Sequence, residues 1–231
     1  MLRSRIIPCL LVHNKGLVKT LKFDVENGKY VGDPINAVKI FNEKQVDEIM
    51  VIDIDATVQA REPDYEMIKN IATECRMPLC YGGGVTTVEQ VRKIIKLGAE
   101  KVAISAAAIN NPNLLRKMSE SVGAQSIVLV LDIMKRKGLF GSSNYEIITH
   151  NGKRKTGKKL YDFLEELNDI PYGELVINNI DLDGVMTGYD INMCDQVREL
   201  TEVPLTFLGG AGSYNDRSEE HTSELQSPNT I

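Results

Sequence analysis

MPLCYGGGVTTVEQVRKIIKLGAEKVAIS, residues 77–105, contains one complete repeating unit of the fold. The short apolar run 78–81 predicts a buried strand. The amphipathic run 86–97 predicts a helix that Gly98 closes as its C-cap. The apolar run 101–105 predicts the next strand. Two buried strands joined through a helix run parallel to each other in one sheet.

The same alternation extends along the chain in both directions. Asp33-Pro34 and Asn111-Pro112 are typical starts of helices. Seven strand–helix units in one domain favour a (β/α)8 TIM-type barrel, an α/β fold. An open doubly wound sheet is the alternative, but the Gly-x-Gly-x-x-Gly pattern expected after its first strand is missing. The predicted strands are 5–12, 49–54, 78–81, 101–105, 126–132, 174–178 and 204–208, with a hairpin over 135–151.

An internal repeat divides the predicted barrel into halves. Ile54-Asp55 resembles Ile180-Asp181, and Gly82-Gly83-Gly84 resembles the run 209–212, at a separation of about 127 residues. That separation is about half of a typical barrel of ~250 residues. Strands three and seven of a barrel lie opposite each other, so the two glycine loops are expected to face each other. Such loops bring backbone N–H groups close to anions, which predicts two phosphate sites. The alternative is that the glycines only make tight turns.

Bulk properties exclude several classes of function. The 231 residues carry a net charge of −5 at a pI of about 5.4, so nucleic acid is not expected as a partner. The four cysteines have neither CxxC spacing nor neighbouring histidines, which indicates reduced thiols rather than disulfides or a metal site. No segment reaches membrane-spanning length and no signal peptide is visible. We expect a cytoplasmic protein with no membrane contact, no metal and no cofactor.

The last residues break the periodicity. From Arg217 the chain is polar and resembles the translation of a sequencing adapter. We therefore expect residues 1–216 to form a barrel truncated after strand seven, without its eighth unit, and 217–231 to be a non-native tail.

The chain resembles the cyclase subunit of imidazole glycerol phosphate synthase over nearly all of residues 1–216. In order, the resemblance is carried by RIIPCLLV, GDP, VDEIMVIDIDA, YGGGV, LGAEKVAIS, VLDI, HNGKRKTG, GELVINNIDLDG, GYD and LGGAG. It implies a lyase that uses ammonia from a glutaminase subunit to cleave and cyclise a bis-phosphorylated ribonucleotide in histidine biosynthesis.

The resemblance also assigns two phosphate sites. One would be formed by residues near the ends of strands three and four, where Ser105-Ala106 replaces the usual Asn-Thr of the family. The other would lie near the ends of strands six and seven. The residues carried over are Gly82, Gly83, Ser105 and Ala106 for the first site, and Asp183, Gly184, Gly209 and Gly210 for the second.

The catalytic carboxylates of the family end strands one and five. Asp132 fills the strand-five position, with a structural loop-capping aspartate as the alternative. Leu11 stands where the family has its strand-one aspartate. A leucine transfers no proton, and loss of such a group commonly lowers the rate by ~10²–10⁴. Lys19 corresponds to a lysine that closes over substrate, with a solvated surface charge as its alternative.

At the other end of the predicted barrel, four charged residues begin strands one, two, four and six. They match the ring that admits ammonia to the barrel in the family, with a salt-bridge layer as the structural alternative. This implies a glutaminase docked at the barrel bottom. The residues are Arg5, Glu48, Lys101 and Glu174.

A paralogous branch fits the chain better than the histidine-pathway enzymes do. PCLL, LVKTLKF, DPINAVKIFNEK and MPLCYGGG resemble members associated with acetamidino groups on bacterial surface sugars. The resemblance then implies a bis-phosphorylated or sugar-nucleotide ligand and a sugar amidotransferase as a further partner. A histidine-pathway cyclase and a non-catalytic scaffold that activates a glutaminase are the alternatives.

Overall fold

The computed structural model describes residues 5–137, 143–213 and 216. Seven parallel strands follow one another in chain order, each paired with the next. This sequential order is that of a (β/α) barrel. The expected tail, 217–231, lies outside the described residues. The seven strands are β1 (Cys9–His13), β4 (Ile49–Asp53), β5 (Leu79–Gly82), β6 (Lys101–Ile104), β7 (Ile127–Lys137), β10 (Glu174–Asn179) and β11 (Leu205–Leu208).

Two antiparallel hairpins extend this sheet at the carboxyl ends of its strands. One consists of β2 (Gly16–Lys19) and β3 (Lys29–Gly32), and β2 pairs with β1. The other consists of β8 (Ser143–Thr149) and β9 (Arg154–Lys159), and β8 pairs with the extended end of β7. The hairpins follow the first and the fifth parallel strands, so both halves of the molecule carry one at the equivalent place.

Helices cover the outside of the sheet, and most begin at a side chain that accepts backbone N–H groups. Asp33 caps the first helix, and Thr87 forms a capping box with Gln90. The helices are α1 (Pro34–Lys44), α2 (Ile54–Val58), α3 (Tyr65–Glu74), α4 (Val88–Lys96), α5 (Ala106–Asn110), α6 (Asn113–Val122), α7 (Leu160–Glu166) and α8 (Ile191–Glu199).

The sheet curls on itself, because residues from distant strands meet inside it. Arg5 precedes β1, yet its guanidinium lies 3.3 Å from the carboxylate of Glu174 on β10. Four strands separate β1 from β10 along the sheet. The carboxylate of Asp183, after β10, also accepts a 2.6 Å hydrogen bond from Thr20 in the first loop. A flat open sheet cannot bring these ends together, so the open-sheet alternative is excluded.

Alternation along the strands separates an inner from an outer core. Inner residues form a small apolar layer in the lumen, whereas outer residues pack against the helices in the large core. The lumen layer contains Met50, Cys80, Ala103, Val128 and Val176.

The internal repeat has a physical explanation in the backbone. The carboxylate of Asp55 accepts the N–H of Asn14 at 2.7 Å, and that of Asp181 accepts the N–H of Lys135 at 2.7 Å. Each aspartate thus holds, by a hydrogen bond, the segment at the carboxyl end of the preceding parallel strand in its own half of the barrel. The repeated Ile-Asp motif is therefore a structural tie.

The predicted boundaries needed correction in three places. The first strand begins at Cys9 rather than Arg5, and the fifth continues to Lys137 rather than ending at Asp132. The sequence predicts a helix over 158–168, but Lys158 and Lys159 belong to β9, so that helix, α7, starts at Leu160. The short helices α2 and α5 were not predicted, because five residues are too few to show periodicity.

Candidate functional site

A cavity of about 560 Å³ opens at the carboxyl ends of the parallel strands. It reaches from the lumen residues Cys9 and Met50 up to the glycine loop after β5 and to the second hairpin. Leu208, the last residue of β11, lines it too, so the ends of the third and seventh strands face one space. This is the rim where (β/α) barrels carry their active sites.

Asp132, on β7, is one of three carboxylates that line this cavity. It is the register partner of Asn178 on β10, whose side-chain amide donates a 2.8 Å hydrogen bond to one carboxylate oxygen. Burial raises the pKa of Asp132 to about 6; the bond from Asn178 lowers it, and the Asp183 carboxylate raises it. A carboxyl with such a pKa can both give and take a proton near neutrality.

Leu11 lines the same cavity from β1, where the resemblance expects a second carboxylate. It packs with Phe23 of the first loop and Ile52 of β4 in a small apolar cluster. The wall near β1 is therefore apolar, and Asp132 has no acidic companion at the strand-one position.

The glycine loops after β5 and β11 have one geometry. Gly83 and Gly209 both have positive φ, of 116° and 89°. A Cβ at Gly83 would clash with the carbonyl oxygen of Asp53, and one at Gly209 with that of Asn179. The structure thus pairs Gly83 with Gly209, whereas the repeat read in the sequence pairs Gly82 with Gly209. Close backbone packing requires glycine at both positions.

The residues predicted for the first phosphate site come together, because Gly82, Gly83, Ser105 and Ala106 all line the cavity. Ser105 precedes α5 but makes no capping hydrogen bond with its side chain.

The residues predicted for the second phosphate site lie beside the cavity rather than in its lining. The carboxylate of Asp183 accepts hydrogen bonds from the Thr20 hydroxyl at 2.6 Å and the Phe23 N–H at 2.9 Å. Gly184 packs on the carbonyl of Thr20, and Gly210 on that of Gly188. The side chain of Asp183 therefore holds the first loop against the end of the sixth strand.

Lys19 ends β2 in the first hairpin, where it pairs with Lys29 and is exposed. It does not belong to the cavity lining. The structure therefore places it on the loop that the sequence indicated, outside the cavity.

The four charged residues at the opposite end form a closed ring. Lys101 Nζ lies 2.7 Å from Glu48 and 2.8 Å from Glu174, while Arg5 lies 2.8 Å from Glu48 and 3.3 Å from Glu174. Both glutamate side chains are only 3% exposed. Thr206, at the start of β11, donates a 2.6 Å hydrogen bond to Glu174. Cations and anions alternate around the floor of the lumen.

The ring's surroundings affect its two acids differently. Burial raises the pKa of Glu48 above its ordinary value despite the neighbouring Lys101. For Glu174, burial is outweighed by Lys101, the Thr206 hydroxyl and Arg5, so its pKa is lowered. The two glutamates in turn raise the pKa of Lys101 against the effect of its burial.

Sequence reasoning missed two polar features of the cavity. Asn178 was read only as part of a strand, although it lies two residues after Val176, whose side chain belongs to the lumen layer, and so faces inward. Arg61 lines the cavity and forms a 2.9 Å ion pair with Asp53, which caps α2. No spacing rule connects a loop arginine with a carboxylate eight residues earlier, so only the coordinates could reveal that pair.

In the ranges that the structure describes, no cluster of three His, Cys, Asp or Glu side chains is arranged to hold a metal ion. The same ranges contain no helix with both the length and the apolar character needed to cross a bilayer.

The fold and the site define a (β/α)-barrel protein with a buried carboxylate, Asp132, in the cavity at its upper rim and a charged ring at its floor. The profile of the family described as "Histidine biosynthesis protein" matches residues 5–227. The chain belongs to this family, which includes the cyclase subunits of imidazole glycerol phosphate synthase, enzymes of the lyase type.

Individual relatives cover nearly the whole chain. A Vibrio vulnificus protein with the provisional name imidazole glycerol phosphate synthase subunit hisF3 is 53% identical over 216 residues, 94% of this chain and 81% of its own. A Leptospira borgpetersenii protein, provisionally named subunit HisF, is 46% identical, covering 93% and 83%. Subunit HisF of imidazole glycerol phosphate synthase from Streptococcus sanguinis is 35% identical, covering 92% and 82%.

Proposed function

We propose that this chain is an ammonia-using barrel subunit of the cyclase family that works in the cytoplasm with a glutaminase docked at its floor. We further propose that it serves the acetamidino modification of a surface sugar rather than histidine biosynthesis. Its ligand would be a bis-phosphorylated or sugar-nucleotide molecule, and a sugar amidotransferase would receive the product or the ammonia.

The observation that carries this proposal is the arrangement of floor, lumen and cavity on one axis. Glu48, directly before β4, and Met50 and Ile52 on that strand face inward in alternation, leading from the charged ring through the apolar layer to the cavity. Ammonia is small and neutral, whereas ammonium would lose its hydration in an apolar lumen at a high energetic cost. The arrangement suits the passage of neutral ammonia from the floor to Asp132.

Asp132 is the residue we propose for proton transfer at the end of this path. Its pKa of about 6 leaves it mostly ionised at neutral pH, ready to take a proton from a substrate hydroxyl. Asn178 fixes one of its oxygens and leaves the other for the ligand. We propose phosphate binding at Gly82, Gly83, Ser105 and Ala106 on one side and at Asp183, Gly184, Gly209 and Gly210 on the other, with Lys19 closing over the ligand.

Two facts favour the paralogous branch over the histidine pathway. Leu11 cannot replace the missing carboxylate of β1, since it has no proton to exchange. The four provisionally named relatives are 44–53% identical, against 35–37% for four relatives named HisF without reservation.

The first experiment measures glutamine hydrolysis by the glutaminase from the same genome, with and without this chain. We expect stimulation by the wild type and a reduced effect of Lys101→Met/Glu48→Gln, which opens the ring and leaves only Glu174 without Lys101, with folding of the variant checked by circular dichroism. Lys39→Met, which removes an exposed lysine of α1 and its ion pair with Glu74, is the matched control. Absence of any stimulation contradicts the proposal.

A second experiment separates the two pathways. The chain and its Leu11→Asp variant are each expressed in a histidine auxotroph that lacks the cyclase subunit. We expect no growth with Leu11. Growth with the unchanged chain would instead assign it to histidine biosynthesis.

The alternative of a non-catalytic scaffold is tested in the same glutaminase assay. A scaffold would stimulate the glutaminase equally with or without a bis-phosphorylated ligand. We expect stimulation to depend on that ligand.

A further inference from the structure

Three sulfur-containing side chains form one row across the inner face of the barrel. Cys9 on β1 is the register partner of Met50 on β4, and Met50 is the register partner of Cys80 on β5. The three strands are neighbours in the sheet. Since neighbouring strands lie about 4.8 Å apart, the Cα atoms of the two cysteines are separated by roughly 10 Å. We call these three residues the sulfur row.

The side chains of the sulfur row point into the lumen. Met50 and Cys80 are buried members of the lumen layer, and Cys9 packs against that layer. Side chains on the inner face of a curled sheet converge toward its axis, so their tips lie closer together than their Cα atoms. Burial is the main cause of the raised pKa of Cys80, and the Cys9 thiol is among the smaller causes, as expected for two thiols that lie near each other.

The cavity at the rim reaches the sulfur row. Cys9 and Met50 belong to its lining, as does Asp132. Cys80 lies one strand further along the sheet and is completely buried. An ion that enters at the rim therefore meets two of the three sulfur-containing side chains directly, and the third lies beside them.

Two thiols and one thioether are a suitable donor set for a soft metal ion. Thiolate and thioether sulfur select Cu(I), whereas magnesium, calcium and manganese ions prefer oxygen donors. In the described part of the chain, no three His, Cys, Asp or Glu side chains form a metal-binding set. The sulfur row does not meet that criterion because its third donor is a methionine.

Protonation and charge favour a monovalent ion. Burial raises the pKa of Cys9 to about 12, with smaller contributions from the Asp132 and Asp183 carboxylates, so both this thiol and that of Cys80 are protonated at neutral pH. A metal ion binds the thiolate, so its binding releases a proton. Cu(I) with one thiolate is neutral, and an apolar lumen admits a neutral complex, whereas an uncompensated charge there would be costly.

We propose that Cys9, Met50 and Cys80 bind one Cu(I) ion in the lumen of the barrel. The ion takes the place of the proton of one thiol, the proton passes to the solvent, and the copper keeps its oxidation state. The second thiol and the thioether are neutral donors. The bound ion lies between the charged ring and Asp132, on the path that we propose for ammonia. The proposal does not rest on that function, because binding of the ion requires neither a glutaminase nor a substrate.

The test is a competition between the reduced chain and the chelator bicinchoninate for Cu(I), with ascorbate and without oxygen. We expect the wild type to take up one equivalent of Cu(I). Cys80→Val and Cys9→Val should each bind it roughly 100-fold or more weakly, and Met50→Leu roughly 10-fold more weakly, since each loses one sulfur donor. Cys75→Ala is the matched control, because the Cys75 thiol donates to the Met77 carbonyl at 3.1 Å and packs in the outer core. It should bind within 2-fold of the wild type.

The pH dependence is a second readout. Release of one proton predicts that the affinity rises about tenfold per pH unit near neutrality. The valine and leucine replacements nearly conserve volume, and circular dichroism checks that each variant folds. If the three sulfur atoms only fill the lumen, the wild type and Cys80→Val will compete equally poorly with the chelator. That result, or an affinity of the wild type that does not change with pH, overturns the proposal. Neither result affects glutaminase stimulation, which tests the proposed function separately.

Discussion

Replacing Lys101 by methionine is expected to destabilise the barrel strongly and in a pH-dependent way. Lys101 forms ion pairs of 2.7 and 2.8 Å with Glu48 and Glu174, whose side chains are 3% exposed. Removing one partner of a buried ion pair costs about 3–5 kcal/mol, because the remaining charge is left without compensation. We expect a loss of that size in the free energy of unfolding at pH 7.5.

The pH dependence follows from the two acids. In the wild type the lowered pKa of Glu174 contributes stability above its ordinary value of 4.5, and this is lost as the pH falls. Without Lys101 the pKa values of Glu174 and Glu48 rise. The folded state then binds more protons than the unfolded chain, so stability falls as the pH increases from 4.5 through the raised values. The deficit of the variant should therefore shrink as the pH is lowered toward 5.

Urea unfolding followed by circular dichroism at pH 5.0 and 7.5 measures this. Lys101→Met/Glu48→Gln should recover part of the loss, since Glu174 keeps Arg5 and Thr206. Lys39→Met removes an exposed ion pair with Glu74 and should cost at most about 1 kcal/mol. A loss below about 1 kcal/mol for Lys101→Met, or an equal loss at both pH values, would refute the reasoning.

Three further substitutions test other parts of the structure. Gly83→Ala should lower the free energy of unfolding by roughly 1–3 kcal/mol more than Gly32→Ala does. Both glycines have positive φ, but only a Cβ at Gly83 would clash with its neighbours. Equal losses of the two variants in urea unfolding would contradict this. Asn178→Ala should raise the pKa of Asp132 above about 6 by removing a hydrogen bond, which carbon NMR of labelled aspartate measures; an unchanged or lower pKa contradicts this. Arg198→Met should raise the thermal unfolding temperature. The guanidinium nitrogens of Arg198 are buried without a hydrogen-bond partner in the described ranges, and burying such unpaired groups costs about 1–3 kcal/mol. A lower unfolding temperature would show that these nitrogens are paired.

The strands and the floor of the barrel could be predicted because they depend on local periodicity. An apolar run flanked by turn residues predicts a buried strand, and a charged residue at its start lies at the end of the lumen. The pattern placed Arg5, Glu48, Lys101 and Glu174 at strand starts, and the family resemblance implied that they form a ring; the structure brings them into one ring.

The details of the upper rim depended on contacts between distant segments. The side chain of Asp183 was assigned to a phosphate site, but it is occupied by Thr20 and Phe23 of the first loop. Neither its spacing nor its residue type indicated that loop as partner. Arg61 escaped notice for the same reason, since its side chain is held in the cavity lining by hydrogen bonds to Asp53 and Gln59.

The ties made by Asp55 and Asp181 have a consequence for how such a barrel can arise. Each tie connects two neighbouring strands of the same half, so neither depends on the other half. A peptide ending near Gly123 would keep the tie to Asn14 and one complete glycine loop. Duplication and fusion of a gene for such a peptide would therefore join two units whose ties at the rim were already formed. Only the ring at the floor would require residues from both copies.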